Sequence, residues 1–443
     1  MFAKSWAAVA ALSGFAATSL AASLPTISAT GSKLFDANGN QFFMKGIAYQ
    51  LTPNDPLLDT AQCQRDASLM KTLGANTIRV YHVDSQGNHD GCMSAFEDAG
   101  IYLIVDMDTF NTAILPTDTY WNQTQYNAYA AVMDAFAKYD NTLGFFVGNE
   151  VIAMNNQSLA APYVKAAARD MKAYRKSKGY REFPIGYSAA DIAELRPQLQ
   201  NYLACGGNAS ESIDFFGLNA YEWCGNSDFH TSGYSTLNDY AQAYNIPIFF
   251  SETGCNTVPP RTFDDQAAIF GPDMVDWWSG AIIYEWIEEA NSYGLISYGP
   301  TVAATATGAD IAGGFSRGGT PTPVSPDFDN LKSQWATLTP TGVASSAYKP
   351  SISTPACPAS TSGGWLVDGN PPLPSLGQTL AAAVSSPTGS GSAATATGSS
   401  SGTATGSAAS PSSSKKSSAS GGKQLVGMTA ALATVMLVFV WWL

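Results

Sequence analysis

The feature that most limits the fold is a repeating unit: a short, almost wholly apolar run, then a polar or aromatic residue, then a helical stretch. Eight such runs occur: "QFFMKGIAY" (41–49), "NTIRVYHV" (76–83), "IYLIVDM" (101–107), "LGFFVGNE" (143–150), "FPIGYSA" (183–189), "IDFFGLNAY" (213–221), "IPIFFSE" (246–252) and "AIIYEW" (281–286). Runs without polar alternation are expected of strands buried on both faces, as in parallel sheets. Between them lie helical patterns. In "QYNAYAAVMDAFAKY" (125–139), Tyr126, Tyr129, Val132, Met133 and Phe136 share one face, and "APYVKAAARDMKAYRKS" (161–177) ends in basic residues that suit a helix C-terminus. Eight strands alternating with helices predict an α/β fold, a (β/α)8 TIM barrel. The alternative is an open doubly wound sheet. A glycine-rich phosphate loop after the first strand would favour it, and "GIAYQLTPNDP" has none.

The flanking composition bounds the barrel. Residues 1–22, "MFAKSWAAVAALSGFAATSLAA", read as a secretory signal peptide: one early Lys, an apolar stretch and small residues before the cut. Residues 423–443 end in the uncharged apolar "LVGMTAALATVMLVFVWWL", preceded by small residues and a polar spacer. That order is the attachment signal for a glycosylphosphatidylinositol (GPI) anchor; a tail-anchored membrane helix is the alternative. Residues 371–422 are a low-complexity Ser/Thr/Gly/Ala-rich linker, expected to be a disordered stalk because it has too little apolar surface to offset chain entropy. This leaves 23–370 for one domain: the barrel and a C-terminal wrap. The expected location is outside the cell, anchored at the outer face of the plasma membrane or in the cell wall.

Six cysteines (Cys63, Cys92, Cys205, Cys224, Cys255 and Cys357) suit three disulfides in a secreted chain, with fifteen pairings open. With no CxxC pair and only three His, neither a metal site nor a cofactor is expected. Asn122, Asn156 and Asn208 head N-glycosylation sequons. A net charge of −13 opposes nucleic-acid binding.

In a barrel the parallel strands all end at one face, where active sites are built. Here those ends carry Tyr49, Arg79 and Tyr81, Asp106 and Asp108, Asn149 and Glu150, Asp191, Asn219 and Tyr221, Glu252, and Tyr284 with Glu285. Glu150 closes the fourth strand and Glu252 the seventh, so both face one mouth. A lone strand-end Glu is most simply a cap or salt-bridge partner. Two carboxyls flanking an aromatic pocket instead form the arrangement for glycosidic bond chemistry. Asn149, beside the first acid, is placed to hold a sugar 2-hydroxyl.

Several long motifs carry a family resemblance: "FFMKGIAYQ", "DPLLDTAQCQRDASLMKTLGANTIRVYHVD", "CMSAFEDAGIYLIVD", "GFFVGNEV", "NAYEWCG", "SETGCN" and "YEWIEEANSYGL". Over about 25 to 340 the chain resembles the fungal β-1,3-glucanosyltransferases of glycoside hydrolase family 72, the Gas/Gel/Phr group. The resemblance implies a retaining enzyme with Glu150 as general acid/base and Glu252 as nucleophile. Such an enzyme cleaves an internal β-1,3-glucan bond through a covalent glycosyl-enzyme. It then transfers the new reducing end to the non-reducing 3-hydroxyl of another chain. The resemblance also implies substrate contacts at Tyr81, at the loop Asp108, Thr109, Phe110, Asn111, Thr112, Ala113, Ile114, Leu115 and Pro116, and at Asn149, Asp191, Arg196, Tyr221 and Tyr284. Tyr284, Asp191 and Arg196 are the acceptor-side candidates.

The pairings it implies are Cys63–Cys92, Cys205–Cys357 and Cys224–Cys255; the last would also tie the loops after strands six and seven. The expected partners are β-1,3-glucan donor and acceptor chains and, through the anchor, a membrane, with the protein itself a monomer. Two departures stand out. Thr253 follows the nucleophile where the family usually has an aromatic, and "DMDTFNTAILP" differs from the usual donor-side loop. The chain has no cysteine after Cys357 and matches the type without a Cys-rich carbohydrate-binding module. The alternatives are a β-1,3-glucan hydrolase with the same acids, an inactive wall glucan-binding protein, and a cellulase-like or mannanase-like enzyme on the same barrel.

Overall fold

The computed structural model describes residues 23–379 except residue 309. The signal peptide, most of the linker and the anchor signal lie outside the described residues. Eight parallel strands close into a barrel: β1 (Met44–Ala48), β2 (Thr77–Val80), β3 (Tyr102–Asp106), β4 (Thr142–Asn149), β5 (Ile185–Ala190), β6 (Phe215–Asn219), β7 (Ile248–Thr253) and β8 (Trp278–Ile283). Each is followed by a helix: α1 (Thr60–Leu73), α2 (Asp90–Ala99), α3 (Gln123–Phe136), α4 (Ala161–Ser177), α5 (Arg196–Ala204), α6 (Tyr234–Gln242), α7 (Asp265–Ile269) and α8 (Asp327–Thr337). The predicted TIM barrel is the observed fold, and the open sheet is excluded by the closure of β8 on β1.

The eighth strand starts three residues earlier than its apolar run, at Trp278. Trp278 pairs with Ile248 and Gly280 with Met44, which extends the strand over "WSG". Tyr284 and Glu285 therefore stand in the loop beyond the strand. Helix α3 starts earlier than its periodicity indicates because Asn122 and Gln125 form a reciprocal capping box.

Two apolar layers result from strand alternation. Ile47, Ile78, Val80, Leu103, Val105, Val147, Tyr187 and Leu218 point outward into the helix layer. Met44, Ile104, Phe146, Phe215, Phe249 and Ile282 fill the barrel axis, together with Ile27 and Leu34 of an N-terminal hairpin (Ile27–Thr30 and Lys33–Asp36). The axis is thus a packed core and not a pore, as in other TIM barrels.

The disulfides are Cys63–Cys92, joining α1 to α2, Cys205–Cys357, joining the end of α5 to the C-terminal wrap, and Cys224–Cys255, joining the loops after β6 and β7. The wrap runs further than expected. Composition places residues 371–379 in the linker, yet Arg169 donates to the Pro374 carbonyl at 3.0 Å and the Gly377 N–H donates to the Trp121 carbonyl at 2.7 Å. Backbone groups, which composition does not reveal, hold this segment on the barrel.

Candidate active site

The site grows from one buried cation. Arg79 lies in the middle of "TIRV" on β2 and is fully buried. An arginine taken from water must have all its donors satisfied and its charge matched. Its Nε and Nη2 grip both carboxylate oxygens of Asp106 at 3.0 and 2.8 Å. Nη2 also donates to Asn149 Oδ1 at 3.0 Å. Nη1 reaches Ser188 Oγ, the Ser251 carbonyl and Glu252 Oε1, each at 3.2 Å. Phe146 and Tyr81 each lie 4.4 Å from the guanidinium carbon, adding cation–π attraction.

This cation links the two expected catalytic acids. Glu150 Oε1 accepts from Asn219 Nδ2 at 2.8 Å, and the same Nδ2 donates to Asn149 Oδ1 at 3.0 Å. Asn149 Oδ1 is the atom that Arg79 also holds, and Arg79 reaches Glu252. An unbroken chain therefore runs Glu150–Asn219–Asn149–Arg79–Glu252. The Asn219 amide is fixed from behind, where Ser188 Oγ and Ser251 Oγ donate to its Oδ1 at 2.9 and 2.8 Å. Gly217 makes room for Ser251, since a Cβ there would lie 2.6 Å from Ser251 Oγ. With Asn149 Oδ1 taken by two donors, its NH2 is left as the group to meet a ligand.

Strict alternation would not build this cluster. Ser251 and Glu252 are neighbours on β7, yet both side chains bond into the barrel. The pairing of β6 with β7 slips by one residue between Leu218–Phe250 and Asn219–Glu252. A matching slip lies between Phe146–Gly186 and Asn149–Ser188. Each slip inserts one residue and reverses the side-chain phase beyond it, turning Asn149 and Glu252 inward. Glu150, at φ +49°, then takes up a conformation uncommon for a non-glycine residue.

Glu252 is 6% exposed. Its Oε1 also accepts from Tyr81 Oη at 3.0 Å, and its Oε2 from Tyr221 Oη at 2.9 Å. Burial pushes the carboxyl up to about 7; the Arg79 charge opposes that rise, Glu150 adds to it, and the Tyr221 and Tyr81 hydroxyls oppose it. Burial, then the charge of Glu252, holds the Tyr81 and Tyr221 hydroxyls well above their ordinary range, so both remain donors. Removing one of them should destabilise the carboxylate relative to its acid. In Tyr221→Phe the acid limb of the kcat/KM profile should move to higher pH, by about one unit if a charge-assisted hydrogen bond is lost. An unmoved limb would mean that Tyr221 does not stabilise the ionised Glu252.

The other expected residues fall into separate groups. Tyr284 stands at the mouth, its ring 6.4 Å from that of Tyr221. Asp191 and Arg196 pair with each other, and Arg196 also lies 3.8 Å from Glu222; neither bonds to the two acids. The loop 108–116 forms a wall beside β3. Burial and neighbouring Asp106 push the Asp108 carboxyl up to about 7. Thr109 and Thr112 close a turn, with Asn111 at φ +67° between them. Phe110 is exposed and stacks on His82 at 4.3 Å, Ile114 is buried, and Leu115 is exposed. Ala113 and Pro116 accept side-chain hydrogen bonds through their carbonyls. Among the described residues, none of this loop bonds to Glu150 or Glu252. Thr253 faces away from the mouth, where its hydroxyl lies 3.3 Å from Tyr234 Oη. Of the sequon residues, Asn156 and Asn208 are exposed, whereas half-buried Asn122 caps α3.

Sequence reasoning placed Arg79, Asp106 and Asn219 among the strand ends without giving them a role. For Arg79 the signal was available: a cation inside a buried apolar strand requires an acid from a neighbouring strand. Ser188 and Ser251 carried no comparable signal.

Comparison with known proteins follows the same lines. A family model described as Glucanosyltransferase matches residues 16–308. The chain is 41% identical to Protein EPD1 of Candida maltosa over 375 residues, 83% of this chain and 65% of that protein. It is 40% identical to 1,3-beta-glucanosyltransferase gas2 of Schizosaccharomyces pombe over 77% of this chain and 73% of that one. Gas2p of Saccharomyces cerevisiae, solved as a Glu-to-Gln mutant with laminaritetraose and laminaripentaose, superimposes with a TM-score of 0.69. Its sequence is 36% identical over 78% of this chain and 75% of that chain. The chain thus spans just under two thirds of the length of the Candida maltosa protein.

Proposed function

The chain belongs to the glucanosyltransferase family, glycoside hydrolase family 72, and from that premise we propose that it is a retaining 1,3-β-glucanosyltransferase acting on β-1,3-glucan. The observation that carries this reading is the hydrogen-bonded chain Glu150–Asn219–Asn149–Arg79–Glu252 at the barrel mouth. Glu252 attacks the anomeric carbon of the donor while Glu150 gives its proton to the departing glycosidic oxygen. The C1–O bond breaks, a C1–carboxylate ester forms, and the leaving chain departs as an alcohol. Esterification removes the charge of Glu252, which favours ionised Glu150 for the second step. Glu150 then takes the proton of an acceptor 3-hydroxyl as that oxygen displaces Glu252, giving a new β-1,3 bond. Both carboxyls recover their starting protonation.

Asn149, with its carbonyl oxygen taken by Arg79 and Asn219, uses its NH2 to hold the sugar 2-hydroxyl, a contact that strengthens as the ring gains oxocarbenium character. Tyr81 and Tyr221 orient Glu252. The loop 108–116 lines the donor side; Tyr284, Asp191 and Arg196 serve the acceptor. Transfer outcompetes hydrolysis when bound acceptor presents its hydroxyl at high effective concentration. The protein acts outside the cell on wall glucan, from a GPI anchor; residues 1–22 and 423–443 support that placement.

Incubating the secreted core with a reduced β-1,3-oligoglucoside tests the reading. Products longer than the substrate are expected, and only shorter ones would leave a hydrolase.

A further inference from the structure

Behind the aromatic wall of the mouth lies a carboxyl that the two-acid reaction leaves unused. Glu285 follows Tyr284 and is 4% exposed. Its backbone N–H donates to the Tyr293 carbonyl at 3.1 Å, and its own carbonyl accepts from Leu295 N–H at 3.0 Å. Its Oε1 accepts from Asn291 Nδ2 at 2.7 Å, and Asn291 Oδ1 accepts from the Tyr293 N–H at 3.1 Å. From the other side, Asn256 Nδ2 donates to the carbonyls of Asn291 and Ser292 at 2.8 and 3.0 Å. Ser292 sits at φ +60°. A serine in that region is held by such bonds rather than by its own preference. The turn presents Tyr293, whose ring meets Tyr221 at 5.7 Å and Tyr284 at 5.4 Å. Tyr221 in turn bonds Glu252.

We propose that Glu285 is a positioning residue for the acceptor: through Asn291 its carboxyl holds Tyr293 against Tyr221 and Tyr284, setting the wall on which an incoming β-1,3-glucan rests. The inference rests on the transferase reading above. Burial and the nearby Glu289 push the Glu285 carboxyl well above the ordinary range, against the Asn291 hydrogen bond. A neutral carboxyl still offers a carbonyl oxygen to Asn291, and a glutamine offers the same oxygen. The shape and the acceptor atom matter here; the charge does not.

The test compares Glu285→Gln, Glu285→Leu and Asn291→Ala in the secreted enzyme, using reduced β-1,3-oligoglucosides at varied acceptor concentration. Glu285→Leu should lower the transfer-to-hydrolysis ratio roughly tenfold and raise the half-saturating acceptor concentration, because the acceptor hydroxyl loses its placement. Donor consumption should change far less. Asn291→Ala should act in the same direction, and Glu285→Gln should match the wild type in both readouts. Melting temperature establishes which variants fold; if Glu285→Leu does not, Asn291→Ala carries the test. An unchanged ratio in a folded Glu285→Leu or Asn291→Ala variant overturns the proposal. So does a proportional loss of donor cleavage and transfer, or a Glu285→Gln variant that behaves like Glu285→Leu. Wild-type enzyme yielding only shorter products would instead remove the transferase reading itself.

Discussion

Glu252→Gln should reduce turnover of β-1,3-glucan by roughly 10³-fold or more, with the protein still folded. The amide is nearly isosteric with the carboxyl and its single oxygen can still accept from Tyr81 and Arg79, with its NH2 toward the Tyr221 hydroxyl, but it cannot form the glycosyl ester. Glu150→Gln should cost on the order of 10²- to 10⁴-fold, the usual range for a lost general acid. The two variants separate when the leaving group changes. An aryl β-1,3-glucoside whose phenol departs without protonation needs no acid in the first step, so ester formation should recover in Glu150→Gln and not in Glu252→Gln. A burst of phenol followed by slow turnover is the expected trace for Glu150→Gln. If the aryl substrate rescued Glu252→Gln instead, the two roles would have to be exchanged.

Arg79→Met should both destabilise the barrel and disable the site. Asp106 is 2% exposed and lies against the guanidinium. Removing one partner of a buried ion pair leaves the other charge uncompensated, at a typical cost of about 3–5 kcal/mol. The pH dependence has a definite sign. Burial already pushes the Asp106 carboxyl up, with Arg79 as the main opposing influence. Without Arg79 the folded-state pKa rises further above its unfolded value. Protonation then favours the folded variant, so its deficit against wild type should be largest near neutrality and shrink as pH falls. Urea unfolding at two pH values reads this directly. Adding Asp106→Leu should recover part of the loss, because an apolar side chain needs no partner. Equal unfolding midpoints for wild type and Arg79→Met near neutral pH would contradict the assignment of Arg79 as the electrostatic centre.

The positioning role of Glu285 belongs to a different part of the same mouth. On the proposed reaction, Glu150, Glu252 and Arg79 would govern whether the donor is opened, whereas Glu285 would govern what the opened donor meets. The separation is structural. Glu252 is held by donors from β2 and the loop after β6, and Tyr293 by a turn after β8 that never touches Arg79.

Much of this was legible in the chain itself. Wholly apolar runs such as "LGFFVGNE" and "IPIFFSE" can be buried only on both faces, and eight of them alternating with helices leave few architectures besides a closed parallel barrel. The same runs put Glu150 and Glu252 at strand ends of one polarity, enough to bring them to one mouth. The long motifs then pointed to a family, and with it to a reaction. Sequence could not supply the phase of those strand ends. By alternation Ser251 and Glu252 should face opposite ways, as should Phe146 and Asn149. The one-residue slips against β5 and β6 that bring them to the same side depend on how four strands, β4 with β5 and β6 with β7, pair in the barrel. Arg79 shows the same division. Its residue type announced that a buried counter-charge was required, but only closure of the barrel chose Asp106, Asn149 and Glu252 to surround it. Local patterns determine which segments become strands, because burial of apolar surface is read residue by residue. Which polar atoms then meet is set by register between strands far apart in sequence, and a single chain carries no local record of that.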